Sequence, residues 1–250
     1  MSGTKIHWLG TGGGLNVALG NTSFLMSANG TAPLMIDCGF TVPGKLMEIG
    51  RIEEVTDIVI THLHADHIGG LETFGFYRRF VCGDTGDRRP TLRMPNAELA
   101  HDLWENALKA GLGLTNAEDG SPVEATLETY YKVEIGVEVE VAGLPKLQLV
   151  ETPHVHDRHN FAMHIGPDVF YSGDTVDLPP HAPGLIFQDC QFGPPTENDI
   201  HISYERLRDE LPPEVKEKTY LVHITHGYEK VDPVADGFAG YVAPDQVFEI

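Results

Sequence analysis

The sequence predicts an α/β fold in which two β-sheets pack together and helices cover them. Short apolar runs bounded by glycine and asparagine fill the first part of the chain and are typical of strands. A helical pattern then occupies residues 96–111, and strand-like runs return after it. This order fits two packed sheets better than a doubly wound parallel sheet. No flexible linker interrupts the chain, so we expect one domain over residues 1–250 with a helical insertion around 95–130.

The N-terminal section consists mainly of expected strands. Residues 43–54 suit a helix, and the strand that follows them delivers a histidine cluster onto the next loop. The strands of this section are expected at residues 6–9, 21–26, 33–39 and 57–60.

The middle of the chain has helical periodicity. Leu99, Leu103 and Ala107 are spaced at i, i+4 and i+8, which places them on one face of a helix. Asn96 is expected to cap this helix and Gly111 to end it.

The last section returns to strands after an expected polar loop at residues 113–126. In residues 133–141, valine and isoleucine alternate with glutamate and glycine, which predicts a half-buried strand with an acidic outer face. Further strands are expected at residues 147–150, 161–165, 169–171, 185–187 and 219–222, and a helix at 204–211.

The composition limits the substrate and the compartment. The chain has 37 acidic and 17 basic residues, a formal net charge of −20. Proteins that hold long nucleic acids need lysine and arginine against the phosphates, so no large nucleic acid is expected as a partner. No apolar stretch approaches the roughly 20 residues of a membrane helix, and the start lacks a signal-peptide pattern. We therefore expect a cytoplasmic protein, which also fits three widely spaced cysteines.

Four candidate metal ligands lie within six positions: His62, His64, Asp66 and His67. Imidazole nitrogens and carboxylate oxygens are the ligands of catalytic zinc sites. On a loop after a strand, His62 and His64 can face one point while Asp66 and His67 reach a second, so one cation for each pair is expected. A solvent-exposed histidine-rich loop is the alternative, and this dense spacing argues against it.

The motif Thr-His-x-His-x-Asp-His at residues 61–67, followed by Gly-Gly, resembles the signature of the metallo-β-lactamase superfamily. The resemblance covers nearly the whole chain, including the glycine turn that follows residues 6–9 and the motif Ile-Asp-Cys-Gly at residues 36–39. It implies an αββα sandwich of two mixed sheets with two metal ions at one edge. It also implies that Asp174, in Tyr-Ser-Gly-Asp-Thr, supplies the carboxylate that bridges both metals.

The same resemblance implies two further histidine ligands, each with alternatives. The first lies before residue 171, where His154, His156 and His159 compete; His154 is preferred because it precedes an aromatic residue by seven positions. The second follows the strand at 219–222. His223 matches the closing motif better than His226 does. The histidine left over is expected either behind the ligands or facing the substrate, and an ordinary surface position is the alternative.

Two residues resemble the ribonuclease Z-like branch of the superfamily. Asp189 falls where that branch carries glutamate, and His201 falls at its additional catalytic histidine. In the branch, the acidic residue orients the histidine, which protonates the leaving oxygen of a phosphodiester. Histidine is suited to this role near neutral pH, and a neighbouring carboxylate raises its pKa. Gln188 replaces the histidine that usually precedes the acidic residue, and Asp189 is shorter than glutamate.

Residues 64–80 and the Leu-Trp-Glu helix at 103–105 resemble the anti-Pycsar phosphodiesterases, carried by phages and some bacteria. The resemblance implies hydrolysis of cyclic mononucleotides, which silences a cyclic-nucleotide antiphage signal, by a homodimer whose aromatic residues help to close the partner's pocket. Trp104, Tyr130 and Tyr131 are candidates for base stacking or for the dimer contact, and core packing is the alternative.

The leading hypothesis is therefore a cyclic nucleotide phosphodiesterase with two divalent ions, Zn²⁺ or, as the alternative, Mn²⁺. We expect in-line attack by hydroxide, with Asp66 as a ligand that also holds the nucleophile's proton and His201 as general acid. The alternatives are a tRNA 3′-end processing endonuclease, a hydrolase of another class such as a lactonase, and a non-catalytic nucleotide-binding module. The tRNA-processing members need a basic arm, and no such Lys/Arg-rich insertion is found in the sequence.

Overall fold

The computed structural model describes residues 3–28, 30–117 and 119–250. The described strands are β1 (Lys5–Gly10), β2 (Ser23–Ser27), β3 (Leu34–Ile36), β4 (Asp57–Val59), β5 (Thr91–Met94), β6 (Leu114–Asn116), β7 (Pro122–Glu124), β8 (Lys132–Ile135), β9 (Glu138–Val139), β10 (Leu147–Glu151), β11 (Phe161–Ile165), β12 (Val169–Tyr171), β13 (Leu185–Asp189), β14 (Thr219–Val222), β15 (Gly240–Tyr241) and β16 (Val247–Glu249).

The described α-helices are α1 (Val42–Glu48), α2 (Ala65–Ile68), α3 (Leu71–Phe76), α4 (Ala97–Asp102), α5 (Lys109–Leu112), α6 (Leu127–Tyr130), α7 (Tyr204–Glu210) and α8 (Pro213–Lys216). Helix α3 continues into a π-helical turn, Tyr77–Val81, and a second π-helical stretch, Leu103–Leu108, joins α4 to α5. In the part of the chain that the structure describes, no helix has the length and apolarity needed to cross a bilayer.

Fourteen of the sixteen described strands form two mixed seven-stranded sheets, as the sequence predicts. Sheet one has the order β16-β1-β2-β3-β4-β5-β8, and sheet two the order β15-β14-β13-β12-β11-β10-β9. In each sheet, antiparallel pairs give way to parallel ones: β3, β4 and β5 run parallel in sheet one, and β12, β13 and β14 run parallel in sheet two. The pairing of β1 with β16 brings both ends of the chain into sheet one.

Aromatic side chains fill the space between the two sheets. The Trp8 ring of β1 is fully buried and lies 5.0 Å from the Phe187 ring of β13, centroid to centroid, in an edge-on arrangement. Phe24 and Tyr171 meet at 5.3 Å, again from opposite sheets. Aromatic pairs of this kind add about 0.5–1.5 kcal/mol each beyond the area they bury. On the outer face of sheet two, Leu207 of α7 belongs to a second apolar cluster.

The helix predicted at 43–54 is shorter, because the chain closes a Schellman motif after Glu48. Gly50 adopts a left-handed φ of +69°, its N–H donates to the Met47 carbonyl and the Arg51 N–H donates to the Leu46 carbonyl. These bonds satisfy the free carbonyls of the last turn and end the helix. The helix predicted at 96–111 is confirmed: the Asn96 side chain accepts a hydrogen bond from the Leu99 N–H at 2.8 Å.

The single strand predicted at 133–141 is wrong, because the segment divides between the two sheets. Strand β8 pairs with β5 in sheet one, whereas β9 pairs with β10 in sheet two. Ile135 and Val137, at the crossing, are 50% and 40% exposed. The loop predicted at 113–126 contains the antiparallel pair β6–β7.

Candidate metal centre and active site

The predicted site residues meet at one edge of the sandwich, because parallel strands present their carboxyl ends to the same side. Strands β3 and β4 reach this edge from sheet one, and β12, β13 and β14 reach it from sheet two. In chain order, Asp37 follows β3, His62 follows β4, Asp174 follows β12, Asp189 ends β13 and His223 follows β14.

A first group of donors consists of His62, His64, His154 and Asp174, whose candidate ligand atoms all lie within 4.8 Å of one another. His64 Nδ1 and His154 Nε2 are 3.2 Å apart. His62 Nε2 lies 3.5 Å from Asp174 Oδ2. Imidazoles and a carboxylate that converge in this way form the type of donor set that zinc prefers.

A second group consists of Asp66, His67, Asp174 and His223. His223 Nε2 lies 3.1 Å from Asp66 Oδ2 and 3.3 Å from Asp174 Oδ2. His67 Nε2 is also 3.3 Å from Asp174 Oδ2. Asp174 thus belongs to both groups, which is the position that the resemblance implies for a bridging carboxylate.

Buried atoms without partners show that these donors fit divalent cations. Among the described residues, His62 Nε2, His67 Nε2 and both carboxylate oxygens of Asp174 are buried and make no hydrogen bond. Buried polar atoms are costly unless they are paired. Two cations would satisfy them with ligand types that suit Zn²⁺, and the assignment of each residue as a ligand stays a prediction.

Asp37 orients the donors from behind, a role that the sequence did not reveal. Its fully buried carboxylate accepts hydrogen bonds from the Thr61 N–H at 2.8 Å and the Thr61 hydroxyl at 2.7 Å. It also accepts one from His67 Nδ1 at 2.8 Å. The Thr61 oxygen lies 3.1 Å from His62 Nδ1. With both Nδ1 atoms engaged in this way, each ring presents Nε2 to the cation.

His154 is the one of the three competing histidines that lies in the donor cluster. Its Nδ1 donates to the Ile200 carbonyl at 2.6 Å, which leaves Nε2 to face His64. The His156 side chain is 92% exposed and pairs with Asp157. His159 bonds to Glu151 and Glu98 at the rim.

His223, and not His226, lies in the second donor group. Its backbone has a φ of +53°, a left-handed conformation that is uncommon for a residue other than glycine. A Cβ placed on Gly13 would be only 3.0 Å from His223 Cε1, so the glycine turn is shaped around this ring. His226 Nε2 lies instead 3.0 Å from the Leu15 carbonyl and donates to it.

His201 and Asp189 form the pair that the resemblance implies. His201 Nδ1 donates to Asp189 Oδ2 at 2.7 Å, which leaves Nε2 free to face a substrate. The same oxygen accepts the Thr175 N–H at 2.9 Å, and Asp189 Oδ1 lies 3.3 Å from His223 Nδ1. Two backbone hydrogen bonds hold the segment next to His201 in place. The Ile202 N–H donates to the Thr175 carbonyl, and the Ile202 carbonyl accepts from the N–H of residue 191.

The charges of the two donor groups differ. Burial and the neighbouring His67 hold the pKa of His62 well below its ordinary value, so this ring is neutral. Burial also opposes protonation of His223, but the Asp174 and Asp189 carboxylates outweigh it and raise its pKa to about 10. For Asp66, burial is outweighed by the hydrogen bond from His223, and its pKa falls to about 2.

His201 is set up to carry a proton. Burial lowers its pKa, but the Asp189 carboxylate in contact with Nδ1 outweighs this effect, so the pKa of His201 lies above its ordinary value. Asp189 in turn has a lowered pKa: burial opposes ionisation, and His201 overcomes that effect.

Two cavities flank the donors. One, of about 370 Å³, lies over His62, His64 and His154 and extends to α4. The other, of about 470 Å³, lies on the side of His201 and His223. Both have the size of small-molecule sites.

The three aromatic candidates from the sequence do not line either cavity. Tyr130 and Tyr131 are buried, and their hydroxyls donate to the Leu112 and Leu71 carbonyls. Trp104 packs partly buried against the same apolar core. The core alternative therefore holds for the two tyrosines, because a phenol that reaches a backbone carbonyl can be buried at little cost.

Comparisons with known proteins agree with this geometry. A family model described as anti-Pycsar protein Apyc1 matches residues 4–248. The anti-Pycsar protein Apyc1 of Paenibacillus sp. (strain J14) is 33% identical over 237 residues, which are 90% of this chain and 91% of that protein. That of Bacillus phage BSP38 is 33% identical over 238 residues, with 88% of each chain covered.

Among solved structures, the metallo-β-lactamase fold protein YhfI from Bacillus subtilis is similar in fold, with a TM-score of 0.72 and 16% identity over 99% of this chain and 100% of that one. The two sheets, their flanking helices and the match along residues 4–248 lead to one conclusion. The chain has the metallo-β-lactamase fold and belongs to the anti-Pycsar protein Apyc1 family.

Proposed function

We propose that this chain is a metal-dependent phosphodiesterase that hydrolyses 3′,5′-cyclic mononucleotides to mononucleotides and so counters a cyclic-nucleotide antiphage signal. The observation that carries the proposal is the His201–Asp189 pair, 2.7 Å apart and beside the donor cluster. Such a pair supplies a general acid for a leaving alkoxide, in addition to the metal ligands. Family membership supports the same activity, because the relatives carry the name anti-Pycsar protein.

The proposed cofactor is a pair of divalent cations, Zn²⁺ first and Mn²⁺ as the alternative. Cations bound here would neutralise the phosphodiester charge and supply hydroxide near neutral pH. The proposed ligands are the members of the two donor groups: His62, His64, Asp66, His67, His154, Asp174 and His223.

The protein's own groups carry the proton transfers in this proposal. Asp66 accepts a hydrogen bond from the attacking water and aligns it with phosphorus. As the new P–O bond forms, the bond from phosphorus to the ribose oxygen breaks on the opposite side. His201 Nε2 gives its proton to that oxygen, and Asp189 stabilises the ring while it is charged. The proton that the attacking water loses then passes through solvent to His201 and restores its charged form, so water and a cyclic nucleotide yield one mononucleotide.

The surface beside the donors disfavours a tRNA substrate. Among the described residues that line the cavity over His62, Glu98, Asp102 and Asp157 carry carboxylates and Arg158 carries the one guanidinium. Together with the net charge of −20, these carboxylates would repel a polyanion. A lactonase-type reaction is disfavoured because acyl hydrolysis does not need a second acid such as the His201–Asp189 pair.

The remaining features of the proposal concern assembly and location. We propose one domain over residues 1–250, with the helical insertion around 95–130, that acts as a homodimer in the cytoplasm. The resemblance to the family supports this assembly, and sedimentation of the purified protein tests it.

A substrate panel tests the activity. Metal-loaded protein is incubated with cyclic mononucleotides, cyclic dinucleotides and a tRNA precursor, and the products are separated by chromatography. We expect turnover of cyclic mononucleotides with the tRNA intact; cleavage of tRNA alone would refute the proposal. His154→Ala should abolish turnover, and His156→Ala is its matched control, because that exposed ring lies outside the donor groups.

A further inference from the structure

The leaving oxygen fixes where the rest of the substrate lies. In-line displacement places the attacking water and the leaving oxygen on opposite sides of phosphorus, so the leaving oxygen must face His201. In a 3′,5′-cyclic nucleotide that oxygen belongs to the ribose, and the ribose therefore lies on the His201 side. His201 lines the cavity of about 470 Å³, together with Asp66, and does not line the cavity over His62, so the former is the cavity that a base attached to this ribose can enter.

A phenylalanine side chain lines that cavity. Among the described residues that line it, Phe192 has the one phenyl, phenol or indole ring. The ring stacks on Tyr204, with centroids 5.5 Å apart and planes 26° from parallel, and meets the edge of Tyr241 at 5.9 Å. The Phe192 N–H donates to the Thr225 hydroxyl oxygen at 3.0 Å. Neither Tyr204 nor Tyr241 lines the cavity, so the ring is packed against residues outside it.

A leucine lines the same cavity from the glycine turn. Leu15 is 88% exposed, although its backbone is fixed. Its carbonyl accepts the hydrogen bond from His226 Nε2, and the next residue, Asn16, is buried and donates to the Ile224 carbonyl at 3.1 Å. The fold therefore holds an apolar side chain in solvent at the mouth of a polar site.

We propose that Phe192 and Leu15 form the base-binding surface of the active site, with the nucleobase stacked on Phe192 and Leu15 in contact with it. The inference rests on the proposed function, because it takes the position of the leaving oxygen from that reaction. Every nucleobase has a π face, so this surface accepts purines and pyrimidines alike. Selection between bases then depends on polar groups at the edge of the cavity.

The test compares KM and kcat for 3′,5′-cyclic AMP and 3′,5′-cyclic UMP. Phe192→Leu should raise KM for both by about 5- to 150-fold, the range expected for a lost base stack. Its kcat should change little, because the metal ligands and His201 are untouched. Phe192→Trp should restore the low KM. An abasic deoxyribose 3,5-cyclic phosphate should be cleaved equally by wild type and Phe192→Leu.

A second variant and a matched control keep the test decisive. Leu15→Ser alters an exposed side chain, so it should fold normally and raise KM in the same direction. Asn106→Ala, in the cavity over His62, is the control and should leave KM unchanged. Unchanged KM in Phe192→Leu and Leu15→Ser, or a raised KM in the control alone, would overturn the inference. If wild type cleaves neither cyclic nucleotide, the proposed function fails as well.

Discussion

The carboxylate of Asp37 offers a direct test of how the donors are held. Asp37→Asn replaces one oxygen by an NH₂ group and changes little else in shape. The residue has a φ of +58°, and asparagine tolerates this left-handed conformation as aspartate does. The substitution therefore perturbs hydrogen bonding at a buried position while leaving the backbone in place.

The expected magnitude follows from the three hydrogen bonds that Asp37 accepts. Oδ1 accepts the Thr61 N–H, and Oδ2 accepts both the Thr61 hydroxyl and His67 Nδ1. Whichever way the amide turns, its NH₂ meets at least one of these donors. A buried donor left unpaired costs about 1–3 kcal/mol, and loss of a partner behind a ligand typically weakens metal affinity by about 10- to 100-fold.

The assay is a zinc titration against a chromophoric chelator, with thermal unfolding of the metal-free protein measured in parallel. We expect Asp37→Asn to lower mainly the affinity for the cation that His67 would bind. Thr61→Val is the matched variant: it removes the partner of His62 Nδ1, keeps the Asp37–His67 bond and should weaken mainly the other cation. Two sites of wild-type affinity in Asp37→Asn would refute the assignment of Asp37 as an orienting residue.

Three further outcomes are expected. His201→Ala should lower kcat by at least about 100-fold with two bound metal ions retained; loss of metal, measured by plasma mass spectrometry, would show that His201 is a ligand. Gly13→Ala should weaken metal binding in the same titration, because its Cβ would press on His223; unchanged affinity would contradict this. Zinc binding to stripped protein at pH 7 should release protons, since carboxylates outweigh the effect of burial, raise the pKa of His67 well above its ordinary value and raise that of His223 to about 10. Calorimetry in buffers of different ionisation enthalpy measures the release, and heats that do not depend on the buffer would contradict it.

The convergence of the donors on residues 62–67 could be predicted from the sequence because their spacing is local. His62 to His67 lie on one loop, where residue type and order are enough to indicate metal chemistry. The choice between His154 and His156 could not be made from the sequence in the same way. It depends on the Ile200 carbonyl, which bonds to His154 from 46 residues away.

The prediction of a single strand at 133–141 was wrong for a related reason. Alternation of apolar and acidic residues indicates which side chains share a face, but not which sheet the segment joins. Here the pattern continues across the change from β8 to β9. The motif at residues 36–39 was matched to the superfamily, but the orienting role of Asp37 was not predicted, because its partners, Thr61 and His67, are 24 and 30 residues away.

Each donor group takes side chains from both sheets, and this has a mechanical consequence. His62 and His64 reach the first group from the sheet-one side, whereas His154 and Asp174 come from sheet two. A cation in either group would therefore cross-link the two sheets, much as a disulfide cross-links distant parts of a chain. At a free metal concentration one hundred times Kd, such a clamp adds about 2.7 kcal/mol to stability. Starving the protein of metal would then loosen the whole scaffold as well as stop the chemistry.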